Sequence, residues 1–459
     1  MPQGRRLAPI LRQIVKRGET GAHEKILDTP RVKIDAGLAY DGRTPTQRAG
    51  IEVIDRTRRR FLTAGALAGA GLAAFGRGAA VRAASTATVE LPFENGRRNL
   101  VAYPEKRPLI VLTSRPPQLE TPFAVFNHGL ITPNDAFFVR YHHAGIPAAI
   151  DGDKHVIQIG GNAVNVPFTL SMADLRRKFE SVELVAVNQC SGNGRGFFSP
   201  RVTGGQLGNG AMGNARWVGV PLKAILAAAG VKSSARQVTF NGLDAPLLGA
   251  ADFVKALDIE HAMNGEVMLA YRMNGADIPV LNGYPVKLVV PGYYGTYWVK
   301  HVSHIEVIDG VFDGFWMKTA YRVPDNDCAC VAPGTTPAAT RPIGRFNVRS
   351  FITSLQNGAQ IHAGRQTVVR GISFDGGHGI REVACSADGG QTWQPARLGE
   401  NLGRYSFREF TFAFTPREGA YDLRARAWNH AGETQPLQAL WQPAGYMRNV
   451  VESVKVSAV

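Results

Sequence analysis

Cysteine is scarce in this chain, four residues in 459, and none of the four belongs to a Cys-x-x-Cys pair. Without Cys-x-x-Cys-His there is no attachment point for a covalent haem. With Cys328 and Cys330 in Cys-Ala-Cys and only Cys190 and Cys385 besides, the chain is short of a structural zinc cluster. A disulfide across one residue is strained, so Cys328 and Cys330 are read either as a pair or as free, solvent-facing thiols. Long apolar runs are missing as well. The Ala/Gly/Leu stretch from Leu62 to Phe75 is short of the roughly 20 residues a membrane span needs, so no stable span is expected. Gly192, Gly194 and Gly196 do not make a dinucleotide loop, because a Gly/Pro-rich coil follows them where a helix would be required.

Acidic residues are under-represented: 37 Asp and Glu face 52 Lys and Arg, a net charge of +15. Residues 1–85 carry 16 of the bases against 7 acids, so +9 lies in the first fifth of the chain and +6 in the rest. No basic helix with interleaved aromatics accompanies this excess. Nucleic acid is therefore not the expected partner, and an anionic substrate or an acidic protein surface suits the charge better. With 44% hydrophobic and 19% charged residues, the length suggests two to three domains with sizeable cores.

Residues 1–56 are polar, basic and punctuated by Gly and Pro, and read as a disordered extension. Residues 57–84 read as an export signal. Thr57-Arg58-Arg59-Arg60-Phe61-Leu62-Thr63 precedes the apolar stretch, and Val81-Arg82-Ala83 before Ala84 supplies a small-residue cleavage site, as in twin-arginine leaders. A periplasmic location, reached by export of the folded protein, is the expectation.

Residues 89–323 alternate short strands with occasional helices and read as α+β. His155–Ile159 is a strand, Ser171 caps a helix reaching Phe179, Pro221–Ala229 is a helix closed by Gly230, and Glu266–Met273 runs into an Asn274-Gly275 turn. Residues 324–345, with four prolines, read as a linker. Across 346–450 the apolar period becomes two, as in Phe410-Thr411-Phe412-Ala413-Phe414, with Asp388-Gly389-Gly390 as a hairpin turn. That spacing makes a β-sandwich. His301 and His304, three apart on an expected strand, fall on opposite faces and make a poor shared metal site.

Chemistry is expected where a buried strand, Val182–Val187, runs into Asn188-Gln189-Cys190-Ser191-Gly192-Asn193-Gly194-Arg195-Gly196. The glycines let backbone turn sharply and approach a bulky ligand, and Arg195 can hold an anion or lower a thiol pKa. On its own, Cys190 reads first as an inert buried thiol in a glycine loop, and other segments must move that reading. A second segment, Ala136-Phe137-Phe138-Val139-Arg140-Tyr141-His142, sets a cation and an imidazole two residues apart, on one face of extended chain.

Taken with Ala215-Arg216-Trp217-Val218-Gly219-Val220-Pro221 and Asn282-Gly283-Tyr284-Pro285-Val286-Lys287, these blocks resemble, in order and spacing, the sulfite oxidase family of molybdopterin enzymes. The resemblance runs from about Thr121 to Val450. It implies a sulfite-oxidase-type molybdopterin-binding domain followed by an immunoglobulin-like β-sandwich that pairs two copies. It also implies a cofactor of molybdenum with molybdopterin, whose protein sulfur ligand is Cys190, a soft thiolate suited to a redox metal. Arg140, Arg195 and Tyr321 match the family's substrate-facing residues, and His142, Asp244, Asn282, Lys287 and Lys300 its cofactor contacts. Two positions depart from the family pattern, Asn282 standing where histidine is usual and Lys287 where arginine is common, so pterin anchoring is expected to differ in detail. His301, where an aromatic often follows the lysine, is similar to the bacterial, cytochrome c-linked sulfite dehydrogenase branch. The implied activity is oxidation of sulfite to sulfate, with two electrons passed singly to a c-type cytochrome or haem subunit. A related molybdenum S-oxide or N-oxide reductase, or an exported non-enzymatic β-sandwich binding protein, are the alternatives.

Overall fold

The structure, a computed structural model, describes residues 87–459. The expected extension at 1–56 and export signal at 57–84 lie outside the described residues.

The described chain is mostly sheet, leaner in helix than an α+β reading suggests. Its strands are two to eleven residues long and its α-helices only four to eight, too short to be stable without the sheets they pack on. Met172–Lys178 starts where expected, with the Ser171 hydroxyl accepting from the Asp174 amide, and Leu222–Ala229 ends at left-handed Gly230. Asn274 and Gly275 both take positive φ in the two-residue turn that pairs Met273 with Ala276. His301 differs from expectation. The strand begins only at His304, and His301 sits before it at φ +51, buried, with its ring bonded to the Tyr141 hydroxyl and the Tyr284 carbonyl.

Three sheets build the first part of the described chain. One joins five antiparallel strands from Thr88–Glu90 to Val139–Arg140. A second runs Lys255–Asp258, Gln237–Asn241, His304–Ile308, Val156–Gly160, Phe168–Ser171, with a single parallel pairing, between His304–Ile308 and Val156–Gly160. The third is centred on Met212–Pro221, which pairs with Val182–Gln189 on one side and Met268–Met273 on the other. The strand leading to Cys190 is therefore tied along its whole length, from Val182 against Gly219 to Gln189 against Met212.

A two-stranded pair, Arg322–Pro324 with Thr340–Pro342, brackets the Pro-rich segment. Beyond it a four-stranded and a five-stranded sheet enclose a core of Val348, Val369, Val383, Phe410, Phe412 and Leu423. This sandwich also reaches back into the larger core. Tyr405 and Phe407 are buried there, the Val187 amide donates to the Tyr405 carbonyl, and the Tyr405 hydroxyl donates to Glu266.

Gly213 faces Asn188 across the central ladder and lies under Phe137, where an added Cβ would stand 2.5 Å from the ring. Gly213→Ala should lower stability by roughly 1–3 kcal/mol through forced repacking beneath the Cys190 strand. Denaturant midpoints compared with wild type check this.

Candidate functional site

Cys190 follows the last ladder residue, and its amide donates to the Ala211 carbonyl at 2.9 Å. The chain then turns through Asn193, whose side chain accepts from the Ala211 amide at 3.0 Å, and Gly194 at φ +85, a conformation glycine adopts without strain. From the C-terminal sandwich, Arg349 reaches this turn. It is 1% exposed and donates to Asn209 Oδ1 at 3.1 Å and to the Asn193 carbonyl at 3.5 Å. The loop bearing Cys190 is thus fixed from two sides.

The cavity in front of Cys190 collects Arg140, His142, Asn282, Lys287, Lys300 and Tyr321, seven of the nine sequence-derived site residues including Cys190 itself. The other two stand outside its lining. Arg195 lies over the Tyr446 ring at 4.8 Å and donates to the Ala444 carbonyl, while Tyr446 stacks on Tyr321 with centroids 5.2 Å apart and planes 13° from parallel. Arg195 therefore reaches the cavity through an aromatic pair and not directly. Asp244 is buried beside Lys300 and partly sustains that lysine's charge.

His142 is stacked on Phe253 with centroids 4.0 Å apart, and its Nε2 is hydrogen-bonded to the Tyr321 hydroxyl. Burial first, and then the neighbouring Arg140, pushes the His142 pKa well below the usual imidazole range, so the ring is neutral. Burial pushes the Tyr321 phenol up, with Arg140 opposing. Both groups keep their neutral forms, which suits a tyrosine that gives or takes one hydrogen bond.

The cations around this cavity have few acidic partners. Lys300 donates to the Arg140 carbonyl at 2.8 Å and lies 4.1 Å over the Tyr141 ring. Lys287 donates to the Asn282 carbonyl at 3.1 Å between Trp217 and Trp298. Two further buried lysines escaped sequence reasoning. Lys106 donates to Asn282 Oδ1 at 2.5 Å, and Lys255 donates to the Trp316 carbonyl at 2.6 Å beside the Tyr297 and Tyr321 rings. Neither sits in a motif, and Tyr446 likewise carries no local signal. Burial holds Lys106 and Lys255 down to about 7 and Lys300 to about 8, and Lys287 well below the ordinary range.

These residues fit a large anionic ligand carrying polar groups. No carboxylate lines the cavity among the described residues, and the side-chain oxygens of Asn188, Ser191 and Thr296 in its wall are buried without a hydrogen-bond partner. Asn282 meets two lysines where a histidine was usual in the resemblance, so the departure at Asn282 and that at Lys287 form one connected cluster. Among the described residues no group of three or more His, Cys, Asp or Glu could hold a metal ion. A metal here would take Cys190 as its protein ligand and bring its remaining ligands with it, which a sulfur-bearing organic cofactor does.

Comparison with known proteins agrees with that donor set. Residues 143–316 match the family described as oxidoreductase molybdopterin binding domain, and residues 340–459 match the Mo-co oxidoreductase dimerisation domain. Mitochondrial sulfite oxidase of Rattus norvegicus is 32% identical over 374 residues, covering 78% of this chain and 67% of the rat protein. That of Mus musculus is 34% identical over 304 residues, covering 64% of this chain and 54% of the mouse protein, so the alignment spans about half of that relative. Nitrate reductase [NADH] of Spinacia oleracea is 29% identical over 381 residues, 77% of this chain and 41% of that protein. Among solved structures, the sulfane dehydrogenase SoxCD from Paracoccus pantotrophus superposes with a TM-score of 0.64 at 24% identity, over 83% of this chain and 92% of that one, and shows the fold.

The buried lysines make stability depend on pH. In the unfolded chain Lys106 and Lys255 titrate near 10.4. Between about pH 7 and 9.5 the unfolded state binds protons that the folded state does not, so stability of the cofactor-free protein should rise with pH across that window and fall as pH drops through 7. A bound anion restores the lysine charges, so the loaded protein should show a flatter profile. Denaturant midpoints of both forms at the two ends of the window check this.

Proposed function

The chain belongs to the sulfite oxidase family of molybdopterin oxidoreductases, and from that premise we propose that it oxidises sulfite to sulfate. Its cofactor is a molybdenum pterin. Cys190 would hold the metal, with Lys287, Lys300 and Asn282 toward the pterin and its phosphate. When bound, that group supplies oxygen-atom transfer and accepts two electrons.

The observation that carries this reading is one cavity holding a buried cysteine sulfur, an arginine and a neutral Tyr–His pair, with no carboxylate in its lining among the described residues. Arg140 is the cation placed to attract and orient a small oxyanion. At about 4 Å and an effective dielectric of about 20, such a pairing is worth on the order of 4 kcal/mol before desolvation. Tyr321 can donate its hydroxyl proton to an oxygen atom of the substrate or product, and His142 fixes the direction of that hydroxyl. Arg195 and Tyr446 hold the far face of the Tyr321 ring. The aromatic wall of Phe253 and Trp316 excludes water from His142.

The same reading extends to partners. A c-type cytochrome or haem subunit is the proposed acceptor of single electrons. The C-terminal domain is proposed to be immunoglobulin-like and to pair two copies, in keeping with its match to a dimerisation domain. The Thr57–Thr63 motif supports folded export to the periplasm by the twin-arginine route. The nitrate reductase relatives favour one second reading, reduction of an N-oxide or S-oxide in the same pocket, because fold and ligand do not fix the direction of oxygen transfer.

Purified protein should reduce ferricyanide or cytochrome c with sulfite and should fail to oxidise a reduced dye with nitrate or sulfoxides. The opposite pattern would establish the reductase reading. Cys190→Ser should abolish turnover and change the metal's spectrum. Arg140→Met should lower kcat/KM for sulfite by roughly 10²–10³, the loss of about 3–4 kcal/mol of anion attraction. A variant at wild-type efficiency would remove Arg140 from the substrate pocket.

A further inference from the structure

The Cys-Ala-Cys segment has no role in the site above. In the folded chain Cys328 and Cys330 are joined as a disulfide, with Cys328 exposed and Cys330 half-buried. Ala329 between them is held at φ +48, in the left-handed region that L-residues with a Cβ avoid. A single residue bridging two joined cysteines cannot relax, so opening the bond releases backbone strain. Asn326 pins the turn, donating to the Cys330 carbonyl at 2.8 Å and accepting from its amide at 3.1 Å. Exposed, strained disulfides are the ones that exchange.

Cys328 fronts a cleft of about 310 Å³ that also carries Arg341 and Arg426 and, in equal number, Asp327 and Glu433. Arg341 is shared with Asp325 at 3.4 Å, and Arg426 lies 4.9 Å over the Trp428 ring. An exposed sulfur–sulfur bond closed over a left-handed alanine, with two arginine side chains in the same cleft, presents an electrophile to sulfur nucleophiles that are anions.

We propose that the Cys328–Cys330 disulfide is a covalent site for sulfite; the choice of sulfite rests on the function proposed above. The sulfite sulfur attacks Cys328 Sγ, the exposed atom, and a new sulfur–sulfur bond forms. The Cys328–Cys330 bond breaks, its electron pair leaves on Cys330 Sγ as thiolate, and solvent protonates it. Sulfite is oxidised as the disulfide is reduced, and no further oxidant is needed. The products are an S-sulfonate on Cys328 and a thiol on Cys330. The neighbouring Val331 amide donates to the Trp441 carbonyl at 2.9 Å, at the start of the segment that carries Tyr446 to Tyr321. Opening the bridge loosens that anchor.

The test uses holoenzyme, anaerobic and without an electron acceptor so that sulfite persists, followed by alkylation, digestion and mass spectrometry. The expected result is one added sulfite on Cys328 and one alkyl group on Cys330, with neither in a Cys328→Ser/Cys330→Ser variant. Arg341→Ala should slow adduct formation severalfold. An intact bridge while free cystine in the same tube is cleaved would overturn the proposal, as would an adduct formed only after denaturation or at an unchanged rate in the Arg341 variant. Because the readout is peptide mass, it is separable from failure of the enzyme to turn over sulfite.

Discussion

Burial of positive charge without matching acid is the constraint on which the rest of this molecule depends. Lys106, Lys255, Lys287 and Lys300 are all largely withdrawn from water; Asp244 supports Lys300 and Glu105 and Asp135 support Lys106, while Lys255 and Lys287 gain no such support. Desolvating an ammonium costs several kcal/mol even after relaxation, which a carbonyl acceptor or an aromatic face only partly offsets. The protein tolerates this because deprotonation offers an escape, visible as lysine pKa values pushed toward neutrality. A polyanionic cofactor removes the need for that escape, so cofactor binding and folding stability are linked through the same side chains.

The thiol must also be held still, and this requirement explains why the sandwich is docked so closely. The Val182–Gln189 ladder delivers Cys190 to the cavity, but the glycine turn after it has little stiffness of its own. Arg349 supplies the missing restraint, bonding Asn209 and the Asn193 carbonyl, while Glu452 meets both Arg349 and Arg448. Burying Arg349 is tolerated because its guanidinium meets Asn209, the Asn193 carbonyl and the Glu452 carboxylate. The C-terminal domain is thus part of the scaffold of the Cys190 loop.

Much of this was legible in the sequence, and the reason is local. Ser171 capping, the Gly230 stop and the Asn274-Gly275 turn each depend on backbone preferences within four residues, so they appear as written. The blocks around Arg140, Cys190 and Lys287 are likewise contiguous, and the structure brings them into one cavity. What was hidden is what long-range packing decides. Lys106 lies 176 residues from Asn282, which it contacts, and Lys255 looks like any strand-start lysine until Trp316 and Tyr321 close over it. Arg195 was legible as a cation near the thiol, yet its direction is set by Tyr446, some 250 residues on, for which periodicity gives no cue. His301 was read as a strand residue, but a buried hydrogen bond at each ring nitrogen outweighs its unfavourable φ.

The stack formed by Arg195, Tyr446 and Tyr321 has a consequence for specificity. Tyr321 is gripped on its hydroxyl by His142 and on its ring by Tyr446, and Lys255 sits 5.3 Å over the same ring. A phenol fixed at hydroxyl and ring cannot swing to follow a substrate, so discrimination must come from how well the substrate's own oxygen meets a stationary donor. Rigid placement favours a small, symmetric oxyanion, for which each oxygen is equivalent and no reorientation is needed. Because Tyr446 comes from the far end of the chain, the wall behind Tyr321 is complete only when that segment has docked, and motion there reaches the cavity through the Tyr446–Tyr321 stack as well as through Arg349 at the Cys190 turn.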